Sequence, residues 1–169
     1  MSGNLYPSLY QINTRVWMTE LSRKLGRPAT LDDIPEAELD KLTDSGFDWI
    51  WFMSVWQTGK EGQRVSRQNP GWRKEFQETL PDLKEEDIAG SGFAITRYTV
   101  SEQLGGDAAL SRLRKRLRER GLKLMLDFVP NHTAIDHDWV LDHTDFYIKA
   151  GEPDLAREPD NYTRIGLVS

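Results

Sequence analysis

The chain has 169 residues, 38% hydrophobic and 29% charged, which fits one soluble globular domain. A net charge of −5 argues against a general nucleic-acid binder, which normally carries a positive face, and the lack of cysteine excludes a disulfide framework or a thiolate metal site. No apolar stretch approaches the ~20 residues that span a bilayer, so no membrane partner is expected. Met1 to Tyr10 lacks a basic region followed by an apolar one, so no signal peptide is read and the expected location is the cytoplasm.

Leu9 to Trp17, L-Y-Q-I-N-T-R-V-W, mixes aromatic and β-branched residues behind Pro7 and predicts a first strand. Thr19 to Ala29 is polar, with room for a helical turn. A helix then starts near Pro35, since proline is tolerated in a first helical turn; Ala37, Leu39 and Leu42 face inward, and Gly46 is its left-handed stop. Phe47 to Val55, F-D-W-I-W-F-M-S-V, predicts a second strand whose apolar residues do not alternate, as in a strand covered on both faces. Gln57 to Gly92 is a long polar connection, of a length that compact domains give to functional or locally structured segments. Pro81 to Ile88 fits a short helix within it, and Trp72 and Phe76 are its candidate anchors. Ala94 to Val100 is short and extended. Asp107, behind Gly105 and Gly106, is a candidate helix N-cap; Leu110, Leu113 and Leu117 follow at helical spacing, and Gly121 ends the helix.

Leu122 to Thr133, L-K-L-M-L-D-F-V-P-N-H-T, is a near-continuous apolar run that ends in an acid and a Pro-Asn-His turn. It reads as a third strand, buried on both faces of a parallel sheet. Strands alternating with helices give parallel pairing with helical crossovers, so the fold class is α/β. Polar groups at the carboxyl end of such a strand sit where α/β barrels place their chemistry. Asp127, Asn131 and His132 are therefore candidate site residues: a carboxylate there orients a basic partner or a sugar hydroxyl, and an imidazole donates a hydrogen bond without being a nucleophile. The structural alternative is an acid capping nearby amides beside a satisfied turn histidine.

D-F-V-P-N-H, Asp127 to His132, resembles the first signature region of the alpha-amylase family, glycoside hydrolase family thirteen. Tyr10-Gln11-Ile12 and Ile50-Trp51-Phe52 resemble that family's first two barrel strands, and Leu104-Gly105-Gly106-Asp107 with a basic amphipathic helix follows the same order. The resemblance covers Leu9 to Thr133. It implies the N-terminal portion of a (β/α)8 TIM barrel, strands one to three, truncated, with residues 1–133 in the barrel and residues 134–169 opening the excursion after strand three. It further implies a retaining enzyme of carbohydrate metabolism acting on the α-glucosidic bonds of an α-glucan or α-glucoside. Retention needs two carboxyl groups about 5–5.5 Å apart. In the family these come from later strands, and the G-x-R-x-D nucleophile motif does not occur after Thr133. None of the bond-breaking carboxylates is therefore expected here, and the chain alone is expected to be inactive. Asp127 takes the supporting position for the family's catalytic arginine, and His132 the position that contacts the sugar. Asn131 matches a position that binds calcium in many α-amylases; no cofactor is required by this sequence, and calcium enters only on that match.

Two positions depart from the family pattern. Phe93 stands where the family often has tyrosine, which leaves a ring to stack on sugar but no hydroxyl, and Ser54 stands where a proline commonly follows the Ile-Trp motif. Trp56 and Trp72 lie in or beside the loop after strand two, where an aromatic face suits a sugar or simply packs the loop. The basic helix carrying Arg112, Arg114, Lys115, Arg116, Arg118 and Arg120 reads as a solvated outer face rather than a nucleic-acid surface. Two rival functions stay open: a non-catalytic glycan-binding or scaffold barrel of the same fold, and a small metal-dependent hydrolase using Asp136, His137, Asp138, Asp142, His143 and Asp145. As an isolated chain, strands one and three are expected to leave unpaired edges that favour association.

Overall fold

The computed structural model describes residues 6–159 and 161–165; residues 1–5, part of the stretch in which no leader is read, and residues 166–169 lie outside them. The first strand, β1 (Leu9–Asn13), is shorter than its aromatic and β-branched run suggests. Asn13 ends it, accepting from the Val16 N–H at 3.3 Å, and so starts α1 (Thr14–Leu25), a full helix where the sequence suggests strand and then polar chain. Thr14, Met18 and Leu21 recur at helical spacing and are buried, and Gly26 at φ 67° stops the helix. Trp17 belongs to this helix because packing overrides its β preference, its ring lying 6.1 Å from Phe52, whereas Val16 is exposed and is held there by the Asn13 cap on its N–H.

α2 (Glu36–Asp44) follows Pro35 as expected, with Leu39 fully buried, Leu42 partly buried and Gly46 at φ 79° beyond its end; Ala37, however, is exposed. β2 (Trp49–Met53) occupies the middle of the second apolar run. The long connection after it is largely structured. It holds β3 (Trp56–Thr58), α3 (Lys60–Gln68) and α4 (Pro70–Thr79), with one 3-10 turn at Glu85–Asp87 in place of the helix expected over Pro81 to Ile88. Trp72 stands exposed rather than anchoring the segment, and an Arg73–Glu85 ion pair at 2.5 Å ties α4 to that turn. β4 (Ile95–Val100) returns antiparallel to β3 through an irregular register.

α5 (Gly106–Glu119) buries Ala109, Leu113 and Leu117. Its N-cap is Gly105 at φ 92°, not Asp107; the Asp107 carboxylate accepts from the Val100 N–H at 2.8 Å and ties β4 to the helix. Gly121 at φ 76° follows, then β5 (Lys123–Met125). Beyond it lie two short helices, α6 (Trp139–Asp142) and α7 (Glu152–Arg157).

β1, β2 and β5 form one parallel sheet in the order β1-β2-β5, with Gln11, Trp51 and Met125 in register. Side chains alternate across the sheet. Ile12, Ile50 and Phe52 enter the core with Met18 and Leu21 of α1, Leu39 of α2 and Leu113 and Leu117 of α5. The other face carries Gln11, Trp51, Met53 and Met125, and it is partly open. Phe52 has 0% exposure while Met125 has 36%, so burial on both faces is not what the second and third strands show. Among the described residues no further layer covers that face, and β1 and β5 each keep one unpaired edge.

The basic face of α5 is only partly solvated. Arg112 pairs with Asp32 at 2.6 Å, Arg116 with Glu36 at 2.7 Å and Arg120 with Asp40 at 2.7 Å. Three of its cations are thus neutralised by α2 and the turn before it, which removes much of what would attract a polyanion.

Candidate functional site at the carboxyl end of β5

Asp127 lies two residues beyond Met125, so the strand period turns it to the face that carries Trp51. It is 7% exposed. Its Oδ1 accepts from Trp51 Nε1 at 2.7 Å, and its Oδ2 accepts from the Ser54 N–H at 2.5 Å. Its backbone carbonyl accepts from Trp56 Nε1 at 2.9 Å. A buried carboxylate is tolerable only with donors such as the first two, which come from β2 and the residue just after it, while the third, on the backbone, comes from β3. Ser54 is itself buried and, among the described residues, is the sole non-glycine at positive φ, 66°.

The segment after Asp127 is pinned by Tyr98 of β4. The Tyr98 hydroxyl accepts from the Val129 N–H at 2.8 Å and donates to the Val129 carbonyl at 3.1 Å. The Tyr98 ring packs edge-on against Trp56, with centroids 5.3 Å apart, and lies 6.1 Å from the exposed Phe128. Asn131 and His132 sit on the exposed turn that follows, and neither side chain hydrogen-bonds to another described residue. Phe93, 36% exposed, follows Gly92, which packs directly on Ser54. Trp56 thus meets Asp127 directly, and Gly92 reaches it through Ser54, while Asn131 and His132 lie on the exposed turn four and five residues further along the chain. Trp56 is half-buried with its N–H committed to Asp127, which leaves its ring faces and not its donor for a ligand.

The His/Asp cluster is dispersed among structural tasks. Asp136 accepts from the Glu61 N–H at 3.2 Å at the start of α3, and Asp138 pairs with Arg97 at 2.7 Å. His137 Nδ1 accepts from the Trp139 N–H at 3.0 Å, and the His143 ring stacks on Phe146 at 5.0 Å. Among the described residues no group of three His, Cys, Asp or Glu is placed to hold a metal ion. Asn131 offers one neutral oxygen, short of the six to eight that calcium takes, so the described residues do not by themselves fit that ion. No helix among them is long and apolar enough to cross a membrane.

Comparison with known proteins decides the family. The model of the alpha-amylase catalytic domain matches residues 30–163. The chain belongs to the alpha-amylase family. A 49-residue stretch is 45% identical to an alpha-glucosidase of Apis mellifera, covering 28% of this chain and 9% of that protein. An oligo-1,6-glucosidase of Parageobacillus thermoglucosidasius is 22% identical over 139 residues, 76% of this chain and 19% of that one. The fold of an alpha-amylase from Lactobacillus plantarum superposes with a TM-score of 0.61 at 22% identity, covering 86% of this chain and 28% of that one. The fold is thus a portion of the family's TIM barrel, β1, β2 and β5 being its first three strands. The chain spans less than a third of the length of these relatives.

The partners of Asp127 were not evident in the sequence. In the sequence Trp51 reads only as part of a strand motif, and Ser54 only as a departure from the family pattern. Tyr98, at an interior position of β4, carried no signal at all.

Proposed function

We propose that the protein containing this chain is a retaining glycoside hydrolase of the alpha-amylase family, acting on α-glucosidic bonds of an α-glucan or α-glucoside. The observation that carries the reading is Asp127: a buried acid at the carboxyl end of the third barrel strand, fixed by two N–H donors on the open face of the sheet. In this reading residues 1–133 contribute the first part of the barrel and residues 134–169 open the excursion after its third strand. The nucleophile and the acid/base come from strands beyond this chain. Asp127 supplies a rigid negative charge against which a cationic side chain is oriented. His132, exposed and without a hydrogen-bond partner among the described residues, donates to a sugar hydroxyl. The ring faces of Phe93 and Trp56 take the apolar face of the sugar.

The test is an assay of the full source-gene product on nitrophenyl α-glucoside and on short malto- and isomalto-oligosaccharides, with the anomer of the released sugar followed by proton NMR. Turnover giving the α-anomer first is the expected result, with no turnover by the 169-residue chain alone. Binding without turnover would favour the non-catalytic barrel, and a β-anomer product would refute the retaining mechanism.

A further inference from the structure

The turn after β2 has a backbone feature that the family resemblance does not account for. At Ser54 the chain takes φ 66°, a region that non-glycine residues enter at a cost. Strain of this kind persists only where the surroundings over-determine it. Two contacts do so here. On one side the Ser54 N–H points at Asp127 Oδ2, at 2.5 Å. On the other, Gly92 lies against the serine so closely that an added Cβ would fall 2.1 Å from Ser54 Oγ and 2.4 Å from Ser54 Cβ. Both groups are shielded, Ser54 at 6% exposure and Asp127 at 7%.

We propose that Ser54 is a positioning residue for Asp127: its left-handed turn, braced by Gly92, aims a backbone N–H at one carboxylate oxygen while Trp51 holds the other. The device uses the backbone of residue 54 and not its hydroxyl. Proline, which commonly occupies this place in the family, would not serve: its φ is locked near about −65° and it has no N–H to give. This chain therefore holds its strand-end acid by a different route, and the Phe93 corner is coupled to that acid through Gly92. The inference deepens the proposed function, since Asp127 matters to catalysis only if the source protein is a glycosidase.

The test is a rescue. Ser54→Gly keeps the N–H and suits positive φ. It should leave the Trp51 indole N–H resonance, read in a ¹⁵N-labelled protein and assigned by Trp51→Phe, where it stands in the parent. Gly92→Ala should push residue 54 and move that resonance. The double variant should return it, because without the serine Cβ the nearest remaining atom is Ser54 Cα, 3.6 Å from the new methyl. In the full source protein kcat should fall about ten- to a hundredfold in Gly92→Ala and recover in the double variant, as misplacement of a site group by about 1 Å would cause. If Gly92→Ala fails to fold, the double variant must fold with the parent resonance. A resonance unmoved by Gly92→Ala, moved by Ser54→Gly, or not restored in the double variant overturns the proposal. Absence of glucosidic turnover in the parent defeats the functional reading instead, and the resonance still decides this one.

Discussion

Asp127→Asn is the substitution whose consequence follows most directly from the geometry. Both oxygens of Asp127 accept from N–H groups: Trp51 Nε1 at 2.7 Å and the Ser54 amide at 2.5 Å. Asparagine offers one oxygen and one NH₂. Whichever way the amide turns, one N–H donor meets another. The loss is one charge-assisted hydrogen bond, about 1.5–3 kcal/mol, plus the cost of a buried donor without a partner, about 1–3 kcal/mol. Partial relaxation reduces the sum, and we expect a loss of about 3 kcal/mol, a large share of the stability of any small domain. Urea unfolding followed by tryptophan emission measures it, with Asp145→Asn as a control at an exposed acid. A loss below about 0.5 kcal/mol for Asp127→Asn, the range of ordinary surface changes, would refute the view that both oxygens are held.

Phe52→Ala removes a ring with no solvent exposure from the centre of the core and should cost about 3–5 kcal/mol in the same unfolding assay; a loss near 1 kcal/mol would mean that the sheet and helices are loosely packed there. His132→Ala should leave the melting temperature unchanged, because the side chain is exposed and has no hydrogen-bond partner among the described residues, yet raise KM for α-glucosides in the full source protein. Asp33 is held well below the usual carboxylate range, chiefly by Arg27 and then by the Thr30 N–H, and Asp32 is lowered by Arg112. Acids depressed on folding contribute stability above their unfolded pKa, about 3.9, and that contribution fades as pH falls through the folded value. Melting temperature should therefore drop between pH 5 and pH 2, by less in an Asp32→Asn, Asp33→Asn double variant; an equal drop would assign the acid sensitivity to other groups.

The parallel sheet was legible because two apolar runs and two leucine-spaced helices stand in βαβ order, and Gly46 and Gly121 mark helix ends without ambiguity. α1 was not, because Val16 and Trp17 look like strand residues until Asn13 is seen to cap the Val16 amide. The β3–β4 pair escaped for another reason: β3 has three residues, its register slips, and β4 begins 37 residues after β3 ends. Its place at the end of an apolar run and its match to the family's first signature region identified Asp127 as a candidate. Its donors at Trp51 and Ser54 lie more than 70 residues away, and the dihedral that aims Ser54 leaves no trace in a serine codon. The pairs at 32, 36 and 40 with 112, 116 and 120 did leave a trace, a repeated spacing of four in both segments, but only to a reader who already knew that the two segments touch.

Part of that ladder is periodic: Glu36 and Asp40 stand one turn apart on α2, as do Arg112 and Arg116 on α5, while Asp32 lies on the turn before Pro35, and a periodic lock has more than one closed position. A slide of α5 by one turn, about 5.4 Å, would bring Arg112 toward Glu36, Arg116 toward Asp40 and Arg120 toward Asp44, and would part Asp32 from Arg112. Glu36 already reaches two rungs, Arg116 at 2.7 Å and Arg120 at 2.8 Å. Charge alone thus distinguishes the two settings weakly, since an exposed pair is worth about 1 kcal/mol or less. The barrier to slippage is apolar: Leu39, Leu113 and Leu117 are each fully buried and cannot travel a turn without opening voids in the core. The ion pairs keep the helices facing each other, and the leucines choose the notch.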